Sequence, residues 1–139
     1  MKYSLRIVED PDPPNPRKEF WVNLGTMICF HNRYDLGDET ELTSKNFHGW
    51  NDLERFLIKK ENAAVILPLY LYDHSGLTIS TTPFSCSWDS GQIGFIYASR
   101  EKLLDEYNAK YVTHALKVKA AGKLRLEVNA YDKYLQGDF

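Results

Sequence analysis

The chain has 139 residues, a length that makes one ordinary domain and buries most of its apolar surface without metal or disulfide staples. Hydrophobic residues make up 43% and aromatics 14%, which excludes a disordered chain. A formal charge of -2 argues against a generic polyanion binder, so nucleic acid is a disfavoured partner, although 17 Lys and Arg leave room for a local basic groove.

Tyr3, Leu5 and Ile7 alternate with Ser4, Arg6 and Val8, the period of a strand that ends at Glu9 and Asp10. This opening lacks the apolar run of an export leader, and no stretch approaches the roughly twenty apolar residues of a membrane helix. A cytoplasmic protein without membrane partners is expected. Pro11 to Pro16 cannot continue a ladder and reads as a stiff, exposed connector. Phe20 to Phe30 reads as a second strand, in which Gly25 permits a bulge or the close approach of another backbone. It delivers the chain into a polar loop of both charge signs, His31 to Glu39, and residues 38 to 46 carry no apolar period. Asn51 and Glu54 are spaced as a capping pair for a helix from Asp52 to Lys60, with Leu53, Phe56 and Leu57 as its buried stripe.

The most strand-like stretch is Ala63 to Arg100. Val65, Leu67, Leu69 and Leu71 point one way and Ile66, Pro68, Tyr70 and Tyr72 the other, so both faces are expected to be covered. Pro68 has no N–H and belongs on an edge or at a bulge. Asp73 to Gly76 has turn composition and predicts a hairpin loop of about four residues, after which Leu77, Ile79 and Thr81 resume the alternation. Phe84 to Gly91 reads as an irregular loop, and Ile93, Phe95 and Tyr97 as one face of a last strand that completes an antiparallel meander. Ser99 caps a helix from Arg100 to Tyr107 that buries Leu103, Leu104 and Tyr107. Beyond Tyr111 two patterns compete. Leu124, Leu126 and Val128 alternate as in a strand, whereas Leu124, Val128, Tyr131 and Leu135 share one helical face, and the longer pattern favours a helix over 122–136 with Gly122 as a point of interruption. The expectation is a single α+β domain over 1–139, a mainly antiparallel sheet of about five strands with two to three helices packed on it.

Cys29 and Cys86 are too few for a disulfide framework and read as the reduced thiols of a cytosol. Cys86 as nucleophile, His74 as base and the amides of Ser90 and Gly91 as oxyanion donors would make a Cys-dependent hydrolase or transferase. Against this, a cysteine in a strand-rich segment is usually a small buried hydrophobe, so Cys86 and His74 stand as candidates and no catalytic residue is assigned. His31, Asp35, Asp38, His74 and Asp89 are ligand types, but their spacing fits no metal motif, and neither metal nor cofactor is expected. Gly91 and Gly94 lack the order of a phosphate-binding loop.

Arg33, Tyr34 and Trp88 can clasp a nucleotide base by charge and stacking; the plainer reading packs Trp88 in the core and pairs Arg33 with Asp35 or Asp38. The turn-rich segments Asp73 to Gly76 and Trp88 to Gln92 are flanked by strands, and polar loops on rigid elements are how recognition surfaces are built. His31, Arg33, Tyr34, Asp38, His74, Trp88, Asp89 and Gln92 are therefore the candidate binding set. It suits a non-enzymatic binding module for a host protein or a nucleotide-like small molecule. A further reading makes the chain an assembly subunit whose aromatic surface joins copies in a homo-oligomer.

Four stretches also carry a likeness: HNRYDLGDE at His31 to Glu39, LPLYLYDHSGLTIST at Leu67 to Thr81, PFSCSWDSGQIGFIY at Pro83 to Tyr97, and Tyr131 to Asp138. The chain resembles a family of small uncharacterised proteins encoded by bacteriophages and other mobile elements, over most of its length beyond Phe20. It departs from them at Ser87, where they tend to carry Pro, and in ending soon after Gly137-Asp138, where they continue into a further segment. The resemblance implies a phage-type accessory protein of the bacterial host cytoplasm, with anti-CRISPR-like interference with host defence as one role such proteins take.

Overall fold

In the computed structural model, residues 14–19, 23–86 and 88–137 are described; the strand expected at Tyr3 to Val8 and the Phe20 to Val22 part of the next lie outside them. Pro16 does not end the proline-rich connector in coil. It opens a one-turn helix, α1 (Pro16–Glu19), where its fixed φ suits the first helical position and no N–H is needed. The side chain of Asn15 accepts from the Arg17 amide at 2.9 Å and caps that turn.

Four antiparallel strands form one sheet: β1 (Thr26–Cys29), β2 (Ala63–Asp73), β3 (Leu77–Ser80) and β4 (Ser90–Ser99), in the order β1-β4-β2-β3. The described residues thus hold four strands where about five were expected, and the arrangement is not a meander. The chain leaves β3 at one edge, crosses by the loop 81–89, and lays β4 on the far side of β2. Burial explains the choice: Ile93 to Ala98 are all buried, so β4 is apolar on both faces and belongs inside the sheet. Pro68 lies where β2 is paired on one side only, because β3 meets β2 from Tyr70 to Asp73 and β4 takes the other side. The hairpin pairs Asp73 with Leu77, leaving the three residues His74 to Gly76 as its loop.

A bulge in β4 changes which face its residues serve. Leu69 pairs with Gly94 and Tyr70 with Gln92, so Ile93 is the extra residue. Ile93 therefore joins Ile96 and Ala98 in the main core, while Phe95 and Tyr97 face a second cluster with Ile28, Leu53 and Leu57. The simple alternation expected for Ile93, Phe95 and Tyr97 fails at that one residue. Gly94 is required here, since a Cβ would lie 1.8 Å from the carbonyl oxygen of Ile28 on the neighbouring strand.

Helix α2 (Trp50–Lys60) covers the second cluster with Leu53 and Leu57, while Phe56 is half-buried. Its cap is not Asn51: Gly49, at φ +148, precedes the helix, and the Asp52 carboxylate accepts from the His48 amide at 3.0 Å. Helix α3 (Arg100–Glu106) begins as expected, with the Ser99 hydroxyl accepting from the Lys102 amide at 3.2 Å. Of its expected core residues Leu103 is buried, and Leu104 and Tyr107 are half-buried.

Helix α4 (His114–Gln136) resolves the C-terminal ambiguity in favour of helix and runs through Gly122 without a break. Ala120, Leu124, Val128 and Tyr131 form its buried stripe, and burying a side chain such as Leu124 or Val128 contributes roughly 1.5–3 kcal/mol. Thr113 caps the start, and Gly137 at φ +76 closes the end. Asp132 of α4 accepts from the Ile79 amide at 2.9 Å, on the outer edge of β3. Among the described residues no helix is long and apolar enough to cross a membrane.

One ion network ties these layers together. Arg17, whose side chain is 1% exposed, donates to both carboxylate oxygens of Asp38, at 2.8 and 3.0 Å, to Glu127 at 3.2 Å and to the carbonyl of Gly25 at 2.7 Å. Glu127 also accepts from the amides of Leu24 and Gly25, and Asp38 from that of Met27. Burial lowers the pKa of the Arg17 guanidinium, but the bonds and charges of Asp38 and Glu127 outweigh it and hold the group above its ordinary value. At Gly25, the close neighbours are side chains, not another backbone: a Cβ there would sit 2.5 Å from Leu124 Cδ2.

Candidate functional site

The end of β2, the start of β4 and the loop after β1 meet at one end of the sheet. Two backbone bonds hold them: the Phe30 amide donates to the Ile93 carbonyl at 2.8 Å, and the Asp73 amide to the Asp89 carbonyl at 2.8 Å. Between them lies an open concavity of about 330 Å³, walled by His31, Arg33, Asp73, Trp88, Asp89 and Gln92. Five of the eight residues singled out in the sequence thus share one depression, although 31–33 and 88–92 are far apart in the chain.

Two side-chain contacts shape this end of the sheet. Arg33 donates to Asp73, not to Asp35 or Asp38, and its guanidinium lies 5.2 Å from the centre of the Tyr34 ring. His74 Nδ1 lies 3.1 Å from an Asp89 carboxylate oxygen, and its ring stacks on Tyr72, which stacks in turn on Phe84. His31 Nδ1 accepts from the amides of Arg33 at 3.1 Å and Tyr34 at 3.3 Å, which leaves the proton of the neutral ring on Nε2. Gln92 donates to the Gly94 carbonyl at 3.3 Å. With neutral imidazoles, two carboxylates stand against one guanidinium, so the concavity is mildly acidic.

Trp88 is 91% exposed, and the reading that packs it in the core is wrong. Its neighbours in sequence are polar turn formers, and nothing near it continues the strand period that would carry it inward. Asp38 is also corrected. Its carboxylate is committed to Arg17 and the Met27 amide, which makes it an anchor of the loop and not a wall of the concavity. Tyr34 packs partly against the main core. Asp73, read as a turn residue, is a wall residue that the sequence analysis missed; its position at the last residue of β2, opposite the β4 entry, was the signal.

Among the described residues no hydrogen bond joins the Cys86 thiol to His74, whose Nδ1 is taken by Asp89. Ser90 donates its hydroxyl proton to the carbonyl of Cys86. The Cys29 thiol is pushed up to about 12 by burial, with Asp38 adding to the effect and Arg17 opposing it. Among the described residues no group of three His, Cys, Asp or Glu side chains is placed to hold a metal ion.

The chain matches no family model, and no curated protein or solved structure matches it at a significant level.

Proposed function

We propose that the chain is a non-enzymatic binding module that engages a host protein through the concavity between His31 and Gln92, as a phage-type accessory protein acting on host defence would. The observation that carries the reading is the 91% exposed indole of Trp88 on the rim of a polar depression. Water-exposed tryptophan is costly, and in protein interfaces this residue type is concentrated among the few that supply most of the binding energy. The wall beneath it is held by rigid strands and by the Arg33–Asp73 and His74–Asp89 contacts, so little ordering remains to be done on association.

A nucleotide-like ligand is less well supported at this place. Arg33 is the cation of the concavity, its guanidinium is engaged by Asp73, and Asp89 adds a second carboxylate that repels phosphate. The Cys-dependent reading draws no support from the engaged Nδ1 of His74.

The test is capture from bacterial host lysate on immobilised wild-type protein, with Trp88→Ala and Asp89→Asn alongside and a nucleotide panel run by thermal shift. The expected result is a protein retained by the wild type and reduced at least about tenfold by Trp88→Ala, equivalent to 1.4 kcal/mol. Equal retention by both proteins, or a nucleotide shift without protein capture, overturns the reading.

A further inference from the structure

A second cavity lies beside the first and shares His31 with it. It has a volume of about 410 Å³, within the range of small-molecule sites, and Phe30 and Trp50 are among its lining residues. We propose that this cavity binds a neutral or cationic planar heteroaromatic compound of nucleobase size, at a site distinct from the protein-facing concavity.

The aromatic lining supplies the first part of the argument. The rings of Phe47, Phe30 and Trp50 form a row of near-parallel planes: Phe30 and Trp50 lie 6.0 Å apart at 14°, and Phe30 and Phe47 lie 6.1 Å apart at 22°. All three are half-buried, packed on their inner side against the cluster of Leu53, Leu57 and Phe95. Their orientation is therefore set by the fold before any ligand arrives, which is the condition under which a flat ring stacks with little entropic loss. An adjoining pocket of about 280 Å³ shares Phe30, Trp50 and Ser44 and carries the row on to Phe47.

The rim supplies the second part. His31 lines the cavity, and because its Nδ1 already accepts two amides, its neutral ring offers Nε2–H as a donor. Asp35 and Ser44 line it as well, and among the described residues neither side chain makes a hydrogen bond. The rim thus carries a donor, a charged acceptor and a hydroxyl, the mixture that the edge of a heteroaromatic base satisfies and a plain hydrocarbon does not. No Lys or Arg lines this cavity, and Asp35 is its charged residue, so a phosphate gains nothing here and pays Coulomb repulsion. The charge argument separates a base or nucleoside from a nucleotide.

The experiment is amide-resolved NMR titration of the full chain with adenosine, cytidine, their 5′-monophosphates and benzyl alcohol, at millimolar concentration. The expected result is saturable shifts at the amides of Phe30, His31 and Ser44 with at least one nucleoside, weaker binding of its monophosphate, and weaker binding still of benzyl alcohol. Trp50→Leu raises the dissociation constant at least about tenfold, the cost of one lost stacking contact. Ser44→Ala, an exposed change that leaves the fold intact, raises it by a smaller factor. No shift with any probe overturns the proposal, as does tighter binding of the monophosphate or equal binding of benzyl alcohol. These outcomes leave lysate capture through Trp88 untouched, so the two sites stand or fall separately.

Discussion

Arg17 and Glu127 are 110 residues apart in the chain and meet side chain to side chain at 3.2 Å, with Asp38 completing the network from the loop after β1. One guanidinium serves two carboxylates, and the amides of Leu24, Gly25 and Met27 also donate to them. Arg17→Met leaves two carboxylates facing each other in a poorly solvated place and should lower stability by about 3–5 kcal/mol. Urea denaturation followed by circular dichroism measures it. Arg17→Lys keeps the charge without the planar fork and should fall between the two. An unchanged midpoint in Arg17→Met would show that the network does not hold the fold.

Gly94→Ala asks for a Cβ where the Ile28 carbonyl oxygen already stands, 1.8 Å away. Backbone cannot move aside as a flexible side chain can, so β1 must part from β4. The expected loss is on the order of 3 kcal/mol or more, at the severe end for a single substitution. Gly122→Ala is the internal control: it has open space around it in the middle of α4 and should gain roughly 0.5–1 kcal/mol. Thermal unfolding of the pair should move in opposite directions.

The phenol of Tyr131 is 2% exposed, its oxygen accepts from the Gly37 amide at 3.0 Å, and burial pushes its pKa up to about 12 against the opposing effect of that bond. An unfolded chain gives up this proton near pH 10, whereas the folded one keeps it. The stabilisation is fully present below about pH 10 and is lost as pH rises towards 12, by about 1–3 kcal/mol. Tyr131→Phe should flatten that alkaline slope, leaving the part owed to Tyr97 and Tyr107, which burial also raises. At neutral pH it should cost roughly 0.5–1.5 kcal/mol for the lost bond. A slope identical to the wild type would remove Tyr131 from the account.

The two thiols should differ sharply. Cys29, half-buried and pushed up to about 12, stays protonated at about pH 8. Native protein treated with a thiol-exchange reagent should therefore release one equivalent quickly, and Cys86→Ser should abolish that phase. Rapid reaction of both thiols in the native state would contradict the raised pKa of Cys29.

What could be read from residues alone follows the range of the interaction. The stripe of Leu124, Val128 and Tyr131 is local and periodic, and it identified α4 although Leu126 suggested a strand. The two faces of β2 were legible because its own alternation is unbroken where β3 and β4 pair with it from Val65 onward. Ile93 was misassigned because a bulge is a relation between two strands, invisible in either one. Strand order failed for the same reason: loop 81–89 permits either neighbour, and only the double burial of β4 decides. His31, Arg33, Trp88, Asp89 and Gln92, which line one concavity, were picked out because turn formers flank strand-like runs. Asp38 looked the same by composition, and its commitment to a buried Arg17 could not be seen from a loop of mixed charge. Phe30 and Trp50, which line the second cavity, were not singled out because single aromatics between strand and helix look like ordinary filling until their rings are seen side by side.

The bond from the Ile79 amide to Asp132 has a bearing on how copies of this protein behave together. A fifth strand arriving from another molecule would need that amide for its own carbonyl, and would first have to evict a carboxylate tethered to a helix of 23 residues. The sheet is therefore stoppered at β3, and any growth by strand addition must look to another margin.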